Sequence, residues 1–596
     1  MLWVTRCRLA TALFFAARTL LGQMQLTAPP ITSKPEDRCV VAGRVTNELT
    51  GEPLRKATVQ LAKRINAPVE FENGKSPPGY STTSLPDGSF KFENVEPGEY
   101  ALSGNRNGYL NGEYGAKNRH RRGSILSLSP GQQLTDVSFA LTPQSVITGK
   151  VIDQDGDPVN GAMVQIVMQT WDRGKMHYRM LNGSNTNDLG EYRISGLSPG
   201  KYYALVQAMQ FTHHQQVASD PGKPDLQPLR TFYPEAPTMD AATPLQLGPG
   251  QYLTDIDIRL RAGATYHIRG KVLGNWPEGG ADPFMVNASA DNEDENMFFT
   301  FGAGSVIAKQ RTFDIAGLAP GSYTLHLFGG GPQVKPLAQQ DVEIGQADLN
   351  DVQLMIVQPG TMHGQVTLEG APKIAASAGA LKNVQIVLVG TNSSRMMFGN
   401  EPARPKDDGS FVLENVAPGK YYLNANPPDG TYLKSVRFGN QEILGKELDV
   451  TQGFGQVSLV FSYGVAEVDG TVQLPQNTPA AADSVATAQP LTTPEFQIAL
   501  VPQTPHEDRS GTYFGNSGGG GAFSIKGVAP GRYHAYALEQ MDYGQMENPD
   551  VLKLLESKGV EIDVNENDKK QIQLPLITED EMQQIYTRLG IEIPQQ

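Results

Sequence analysis

The chain has 596 residues, of which 39% are apolar and 19% are charged. This composition allows globular cores and excludes a chain that is disordered by composition. The formal net charge of −14 argues against a nucleic-acid-binding protein, because domains that bind phosphate are basic. With 63 glycines and 42 prolines, the sequence favours short strands joined by tight turns over helical bundles.

The N-terminus has the pattern of a secretory signal peptide. Arg6 and Arg8 precede an apolar run at 9–17, as the positive and hydrophobic regions of such signals do. We therefore expect a signal peptide at 1–22 and a linker at 23–37. The protein is then extracytoplasmic, in the periplasm, at the cell surface or released.

A membrane anchor is the alternative interpretation of this segment. An anchor needs about 20 apolar residues, and Arg18 interrupts the run before that length. We therefore expect no membrane span after signal removal. Cys7 would leave with the signal, so Cys39 would be the one mature cysteine and no intrachain disulfide could form. Because Cys39 stands beside Val40 and Val41, it is expected to be a small strand residue and not a reactive thiol.

Five copies of one pattern occupy the rest of the chain. Each copy opens with a Gly-x-Val strand, passes an aromatic residue and reaches a Pro-Gly-x-Tyr turn; in the second copy these parts are 149–151, Tyr192 and 199–202. Successive copies start roughly a hundred residues apart, the size of one small β-sandwich. The tyrosines that follow the five turns are Tyr100, Tyr202, Tyr323, Tyr421 and Tyr533.

Period-2 alternation of apolar residues within each copy predicts half-buried strands. A unit of ~100 residues can bury its own core, so the repeats predict separate domains and not a solenoid. The sequence therefore predicts an all-β fold, a tandem array of five Ig-like or prealbumin-like β-sandwich domains with a short C-terminal helix. The expected domains, here called repeats one to five, are 38–143, 144–262, 263–359, 360–464 and 465–578, followed by a helical tail at 579–596. Short linkers between them indicate a semi-rigid rod.

The Pro-Gly turn predicts local geometry. Proline presets φ for turn position i+1, and glycine accepts the positive φ that a type II turn requires at i+2. Each following tyrosine is expected at a strand start with its ring against the core. As in a tyrosine corner, its hydroxyl should meet a buried backbone group.

Two helices interrupt the β pattern near the C-terminus. Asn548 can cap the first helix, Pro549 suits its first position, and Gly559 can stop it. Thr578 and Glu581 have the spacing of a capping box for the second helix. We expect the second helix to pack on the last domain; a helix that docks a partner is the alternative.

The repeated motif resembles the carboxypeptidase regulatory-like family. The segments 87–100 and 408–421 carry the Asp-Gly-x-Phe…Pro-Gly-x-Tyr motif best, whereas repeat three lacks the Asp-Gly before Phe313. The resemblance covers about 38–578 and implies the prealbumin-like (transthyretin-like) β-sandwich, grouped with starch-binding-like folds. The array is similar to large secreted proteins of acidobacteria. In metallocarboxypeptidases the domain accompanies a zinc peptidase domain, whose pattern this sequence does not show, so the resemblance implies no peptidase activity.

The sequence contains few candidate catalytic motifs. None of the nine histidines forms His-x-x-Glu or His-Glu-x-x-His, and the pair at 213–214 is expected to be a loop. The segment 515–519 satisfies Gly-x-Ser-x-Gly, but a nucleophile elbow needs a preceding strand and a following helix in an α/β sheet. More glycines and a β-strand follow here, so we interpret it as a hairpin loop. We predict no catalytic residues, no cofactor, no metal site and no enzyme.

Charged clusters have simple interpretations as solvated loops. Asp153, Asp155 and Asp157 could supply oxygens to calcium, but the EF-hand spacing is missing, and a hairpin turn is expected. The acidic segment 291–295 is interpreted as a loop as well. The basic run at 117–122 is expected to be a solvated loop, with an anion-docking patch for cell-surface polymer as the alternative.

One candidate ligand site lies in repeat two. Trp171 and Tyr178 could stack on sugar rings, with Arg173 or Lys175 meeting hydroxyl or acidic groups. An aromatic pair that covers the end of the sandwich is the alternative. The leading hypothesis is a non-catalytic protein that binds carbohydrate or cell-envelope polymer. A structural spacer or protein-interaction rod is second, with envelope proteins as partners, and an enzyme with a site between domains is third.

Overall fold

The structure of the chain is a computed structural model. It describes residues 33–63, 79–116, 123, 125–172, 175–207, 225–275, 284–290, 302–307, 310–329, 335–356, 359–370, 381–390, 401–451, 453–474, 496–504, 506, 511–541, 544–589 and 591. The signal peptide predicted at 1–22 lies outside these residues. The described chain consists of strands with two short α-helices and a few 3-10 turns, which confirms the all-β fold class.

Repeat one contains two sheets. Its strands are β1 (Cys39–Asn47), β2 (Thr58–Lys63), β3 (Gly79–Thr83), β4 (Ser89–Val95), β5 (Gly98–Asn105), β6 (Gly112–Glu113), β7 (Ile125–Leu128) and β8 (Gln133–Leu141). One sheet has the order β4–β1–β8, and the other has β3–β2–β5 with β6 and β7 beside β5. Cys39 begins β1 and is buried; its Sγ donates to the Ser129 carbonyl at 3.1 Å, and burial raises the pKa of this thiol.

Repeat two repeats this plan with additions. Its strands are β9 (Ser145–Ile152), β10 (Met163–Asp172), β11 (Lys175–Asn185), β12 (Glu191–Leu197), β13 (Gly200–Gln207), β14 (Asp225–Pro228), β15 (Thr231–Phe232), β16 (Leu245–Leu247), β17 (Tyr252–Leu253) and β18 (Ile258–Arg259). The sheet β12–β9, with β17 and β18, faces the sheet β11–β10–β13, which carries β15 and β16.

Repeats three and four follow. Repeat three has β19 (Ala262–Leu273), β20 (Met285–Ala290), β21 (Gly302–Ser305), β22 (Thr312–Leu318), β23 (Gly321–Gly329), β24 (Lys335–Ile344) and β25 (Leu349–Met355). Repeat four has β26 (Gly360–Glu369), β27 (Ile386–Gly390), β28 (Ser410–Val416), β29 (Lys420–Ala425), β30 (Tyr432–Phe438), β31 (Gln441–Glu442), β32 (Leu448–Asp449) and β33 (Val457–Ser462). Strand β14 of repeat two pairs antiparallel with β19 and so joins a sheet of repeat three.

Repeat five carries the helices. Its strands are β34 (Ala466–Gln473), β35 (Gln497–Pro502), β36 (Tyr513–Asn516), β37 (Ala522–Val528), β38 (Gly531–Leu538), β39 (Val560–Val564) and β40 (Lys569–Ile577). Helix α1 (Pro549–Leu555) and helix α2 (Glu579–Arg588) flank the last two strands. Both predicted caps are confirmed: Asn548 accepts from the Asp550 amide, and Thr578 forms a capping box with Glu581.

The helices cover the outer face of the β35–β38 sheet. Val551 and Leu555 of α1 and Met582 and Ile585 of α2 are buried in one cluster with Tyr536. This confirms the prediction that the second helix packs on the last domain.

Each repeat closes on itself through its first strand. The Gly-x-Val strand pairs parallel with a late strand of the same repeat, in the pairs β1–β8, β9–β18, β19–β25, β26–β33 and β34–β40. Among the described residues, the five largest buried apolar clusters span 39–141, 147–260, 266–356, 362–461 and 466–576. Each cluster draws its residues from one repeat. The domain boundaries themselves stay a prediction.

The Gly-x-Val glycine and the aromatic residue form one structural unit. They stand directly opposite each other on neighbouring strands in all five repeats, in the pairs Gly43–Phe90, Gly149–Tyr192, Gly270–Phe313, Gly364–Phe411 and Gly470–Phe523. A Cβ at Gly149 would lie 2.0 Å from the Ile256 carbonyl oxygen. The position therefore accepts only glycine, because the parallel partner strand approaches its backbone too closely for any side chain.

Candidate functional site

The structure places the predicted ligand-site residues on the β10–β11 hairpin of repeat two. Trp171 is half-buried and pairs with Met176, while Tyr178 pairs with Gln169. Both aromatic residues therefore lie on the same sheet face, the face away from the sandwich core. Arg173 lies outside the described residues, and of Lys175 the structure describes the backbone position opposite Asp172.

Tyr178 is a correction to the predicted site. Its side chain is 3% exposed and belongs to a second apolar cluster on this outer face, with Val167, Leu205 and Phe232. Its ring meets the Tyr203 ring edge-on at 6.4 Å between centroids. A ring covered in this way cannot stack on a sugar, so of the two predicted aromatic faces only that of Trp171 remains a candidate.

The cover over Tyr178 comes from a segment that sequence reasoning missed. Phe232, Ala236 and Met239, which follow β15, lie in the same cluster. Two signals in the sequence point to such a cover. The interval between the Gly-x-Val motifs of repeats two and three is the longest of the set, and 163–168 is apolar at nearly every position, as in strands buried on both faces.

The five predicted tyrosine corners are all present. Each tyrosine is buried in the core of its own repeat. Each hydroxyl donates, at 2.8 Å, to the carbonyl of the residue four positions earlier: Tyr100 to Glu96, Tyr202 to Ser198, Tyr323 to Ala319, Tyr421 to Ala417 and Tyr533 to Ala529. Burial raises the pKa of Tyr100, Tyr323 and Tyr533, so these hydroxyls stay protonated donors.

A second tyrosine completes this clamp in repeats one and five. The Tyr80 hydroxyl accepts from the Glu96 amide, and the Tyr513 hydroxyl accepts from the Ala529 amide, both at 3.0 Å. The residue before the Pro-Gly turn therefore has both its backbone groups satisfied by phenol hydroxyls. Sequence reasoning did not find this second tyrosine; the available signal was its constant position 16 residues before the clamped residue in both repeats.

The backbone of the Pro-Gly turn differs from the predicted type II geometry. Gly98, Gly200 and Gly321 have φ of 143°, 151° and 157°, not the value near +80° of that turn. The left-handed residue stands four positions earlier in every repeat: Asn94, Gly196, Gly317, Asn415 and Gly527, with φ between 56° and 80°. It lies where the strand register shifts, as in a β-bulge, and asparagine and glycine tolerate that conformation.

Ser517, the serine of the Gly-x-Ser-x-Gly match, has a structural environment. It is 1% exposed, and its hydroxyl accepts from the Phe496 amide at 2.8 Å. Ser84 and Thr186, six residues before the aromatic of their repeats as Ser517 is, accept equivalent bonds from the Ala57 and Ala162 amides. The match is thus one copy of a recurring contact between loop and strand, not a nucleophile elbow.

The acidic turn of repeat two forms hydrogen bonds within itself. Asp153 Oδ1 accepts from the amides of Asp155 and Asp157, both at 2.9 Å, which is the hairpin turn predicted from the sequence. Among the described residues, no group of three or more histidine, cysteine, aspartate or glutamate side chains could hold a metal ion. The predicted loops at 117–122, 213–214 and 291–295 lie outside those residues.

One charged network lies on repeat three. Arg269 bonds Asp314 at 3.0 Å and Asp348 at 2.6 Å, and His267 Nδ1 meets Asp314 at 2.6 Å. Partial burial opposes ionisation of Asp348. Hydrogen bonds from the His267 amide and the Arg269 guanidinium outweigh that effect and lower the pKa of Asp348. The network therefore joins β19 to β22 and to the residue that precedes β25.

The first two repeats match a known protein family. Residues 40–142 and 146–261 match the family described as the carboxypeptidase regulatory-like domain. Repeats one and two are tandem carboxypeptidase regulatory-like domains. For these two repeats, the match confirms the resemblance that the motif predicted. No curated protein matches the chain.

Several solved structures are distantly similar to this chain. The Bacillus anthracis TIE protein is 10% identical, with 72% of this chain and 73% of that chain covered and a TM-score of 0.15. The minor pilin GBS52 of Streptococcus agalactiae is 12% identical (37% and 94% covered, TM-score 0.20). Two B repeat units of the Staphylococcus aureus collagen-binding protein are 12% identical (71% and 99% covered, TM-score 0.12). At these TM-scores the likeness supports no statement about function.

In the described part of the chain, no helix has the length and apolar character needed to cross a membrane.

Proposed function

We propose that this protein is a non-catalytic structural array of the cell envelope, which spaces its repeats and presents their surfaces to other envelope components. The observation that carries the proposal is strand β14. It follows the main strands of repeat two, yet Asp225–Pro228 pairs antiparallel with 262–265 at the start of β19, the first strand of repeat three. A strand shared in this way fixes the two repeats relative to each other, as a spacer requires. The extracytoplasmic location rests on the predicted signal peptide at 1–22.

Direct contacts at two other junctions support the same proposal. Between repeats one and two, the Gln144 amide donates to the Gly108 carbonyl and Gln144 Nε2 donates to the Tyr109 carbonyl, both at 3.0 Å. Between repeats four and five, the Tyr432 hydroxyl donates to Glu566 at 3.2 Å. Backbone hydrogen bonds across a junction restrict its bending more than a flexible linker does.

The test removes the shared strand. Replacing both Asp225 and Gln227 by proline removes the β14 amides that face β19, because proline has no amide N–H. These positions follow from the Leu229 amide, which donates to the Arg261 carbonyl, since donors to one partner alternate along an antiparallel strand. Negative-stain classes and small-angle scattering of the full chain should then show a broader range of angles between repeats two and three. Gln154→Pro is the matched control, since Gln154 occupies position i+1 of a turn in the same repeat, where proline is favoured. An angular distribution unchanged by the double substitution would count against the array.

A second candidate function, binding of carbohydrate or envelope polymer, is favoured by Trp171. This residue is half-buried near the tip of the β10–β11 hairpin, where part of its ring reaches solvent. Affinity electrophoresis against a panel of soluble polysaccharides tests it. Retardation that is lost in Trp171→Ala, with Tyr252→Ala as an exposed aromatic control in the same repeat, would support a glycan site. Retardation by none of the polysaccharides, or retardation that Trp171→Ala does not change, would contradict the glycan site. The structural array would then be the one remaining candidate function.

A further inference from the structure

Repeat five touches repeat two, although two repeats separate them along the chain. The 3-10 turn Gln545–Glu547 lies within 8 Å of strand β10, measured between Cα atoms. Strand β10 is an inner strand of its sheet, with β11 on one side and β13 on the other. Its two flanks are therefore occupied, and one of its faces belongs to the core of repeat two.

The point of approach is defined by burial on β10. Val164, Ile166 and Met168 belong to the core of repeat two, so Gln165, Val167 and Gln169 lie on the outer face. Val167 is covered by the cluster with Phe232, and Gln169 is exposed.

Gln165 is 1% exposed, although Gly183, its partner on β11, has no side chain to cover it. Its Oε1 is buried and has no hydrogen-bond partner among the described residues. A glutamine on an outer sheet face is buried this completely only when something is packed over it.

The turn in repeat five has the side chains and the support for that contact. Gln545 and Met546 are buried, and Met546 belongs to the cluster that α1 and α2 form on the outer face of the β35–β38 sheet. Asn548 Nδ2 donates to Gln545 Oε1 at 3.2 Å, which holds the turn against the start of α1. The turn is therefore a fixed projection of repeat five, and methionine adapts to irregular surfaces.

We propose that the array folds back on itself, so that the Gln545–Glu547 turn of repeat five docks on the outer face of β10 around Gln165 in the same chain. Repeats two to five then form a closed unit in place of a straight rod. The added helices of repeat five are the device that makes this closure, since the turn is built on their cluster.

Cross-linking of the full chain tests the docking. In a background with Cys7→Ser and Cys39→Ala, Met163→Cys and Gln545→Cys should be joined by a short bismaleimide. Cross-links within one chain form at effective concentrations on the order of millimolar, so the product should be monomeric and independent of protein concentration. The control pair is Met163→Cys with Lys569→Cys, at the far end of β40 from the helical cluster. Equal rates for the two pairs, or a product that is mainly a cross-linked dimer, would overturn the proposal.

A matched pair of charge substitutions separates docking from general damage. Gln165→Lys places a charge beneath the docked turn and should slow the cross-link on the order of tenfold or more, because a charge buried without a partner disfavours the docked state. Gln169→Lys, on the same face of the same strand but exposed, should leave the rate unchanged. Circular dichroism should show that both variants remain folded. An unaffected rate in a folded Gln165→Lys protein would also overturn the proposal.

Discussion

The tyrosine corner of repeat two gives the sharpest test of how the repeated motif stabilises each sandwich. Tyr202 is 1% exposed, and its hydroxyl donates to the Ser198 carbonyl at 2.8 Å. Tyr202→Phe keeps the ring and removes this one bond, so it should lower the free energy of unfolding by about 1 kcal/mol. Tyr202→Ala also removes the ring and should cost ~3–5 kcal/mol, as other large-to-small core substitutions do.

The measurement needs a signal from repeat two alone, because a chain of several domains has no single unfolding transition. A background of Trp3→Phe and Trp276→Phe leaves Trp171 as the remaining tryptophan. Its fluorescence in urea then reports on repeat two within the full chain. With a loss of 1 kcal/mol, the melting temperature of a domain this size should fall by about 4 °C.

The control residue is Tyr252, which is 63% exposed in the same repeat. Both Tyr252→Phe and Tyr252→Ala should change the free energy of unfolding by less than about 0.5 kcal/mol, as surface substitutions usually do. Equal and small effects for both Tyr202 variants would mean that the ring does not support the core. The reasoning from the five equivalent hydrogen bonds would then be refuted.

Four further predictions follow from the described contacts. Gly149→Ala should destabilise repeat two by roughly 1–3 kcal/mol or more in the same urea assay, because its Cβ would overlap the Ile256 carbonyl. Gly345→Ala, which meets nothing within 4 Å, should leave repeat three unaffected when Trp276 is the reporter in a Trp3→Phe and Trp171→Phe background. Ser517 should stay unlabelled by serine-reactive phosphonates, and stoichiometric labelling lost in Ser517→Ala would contradict the non-catalytic assignment. A fragment of 144–262 should melt cooperatively, since the cluster at 147–260 is complete within it; a fragment that stays unfolded would refute the boundaries. The lowered pKa of Asp348 stabilises the fold above the carboxyl's unfolded pKa, and this stabilisation is lost as the pH falls through the lowered value; Asp348→Asn should therefore flatten the acid limb of the stability of repeat three, and an identical limb in the variant would contradict this.

The features that the sequence predicted correctly are those in which a residue type at a given position has a single physical explanation. Tyrosine after Pro-Gly is a large ring with one hydroxyl, so both its burial and its bond to a nearby carbonyl could be expected. Thr578 with Glu581 forms the capping box because the spacing alone determines which amides the side chains reach. Such features are local, and the sequence is sufficient to specify them.

The prediction of the Pro-Gly turn was wrong for a reason that is also local. Glycine accepts several backbone conformations, so its presence did not identify which residue carries the left-handed φ. The decisive residue is the asparagine or glycine four positions earlier, as at Asn94 and Gly196. Asparagine and glycine alternate at this position between repeats, and the two residue types share a tolerance for that conformation. The restriction of this position to asparagine or glycine was the signal in the sequence for the left-handed residue.

Contacts between distant segments could not be predicted. The polar sequence around Tyr178 is typical of a hairpin whose aromatic residue is exposed. Its burial depends on Phe232 and Met239, which approach it from a separate loop. Strand β14 pairs outside its own repeat. A period-2 pattern in four residues does not indicate which strand will be the pairing partner. Both errors concern the segment between β13 and β16, the part of repeat two that the shared motif does not describe.

The same division applies to function. What the five repeats share, the cross-strand glycine and aromatic, the tyrosine corner and the parallel closing strand, is used entirely to build separate cores. What differs among them lies on outer sheet faces: the cover over Tyr178, the charged network at Arg269, and the helices on repeat five. The shared residues are buried in the cores or in strand pairing. Any binding or assembly must therefore depend on the residues that differ among the repeats. The outer faces of repeats two and five are therefore the surfaces on which substitutions should change function without unfolding the array.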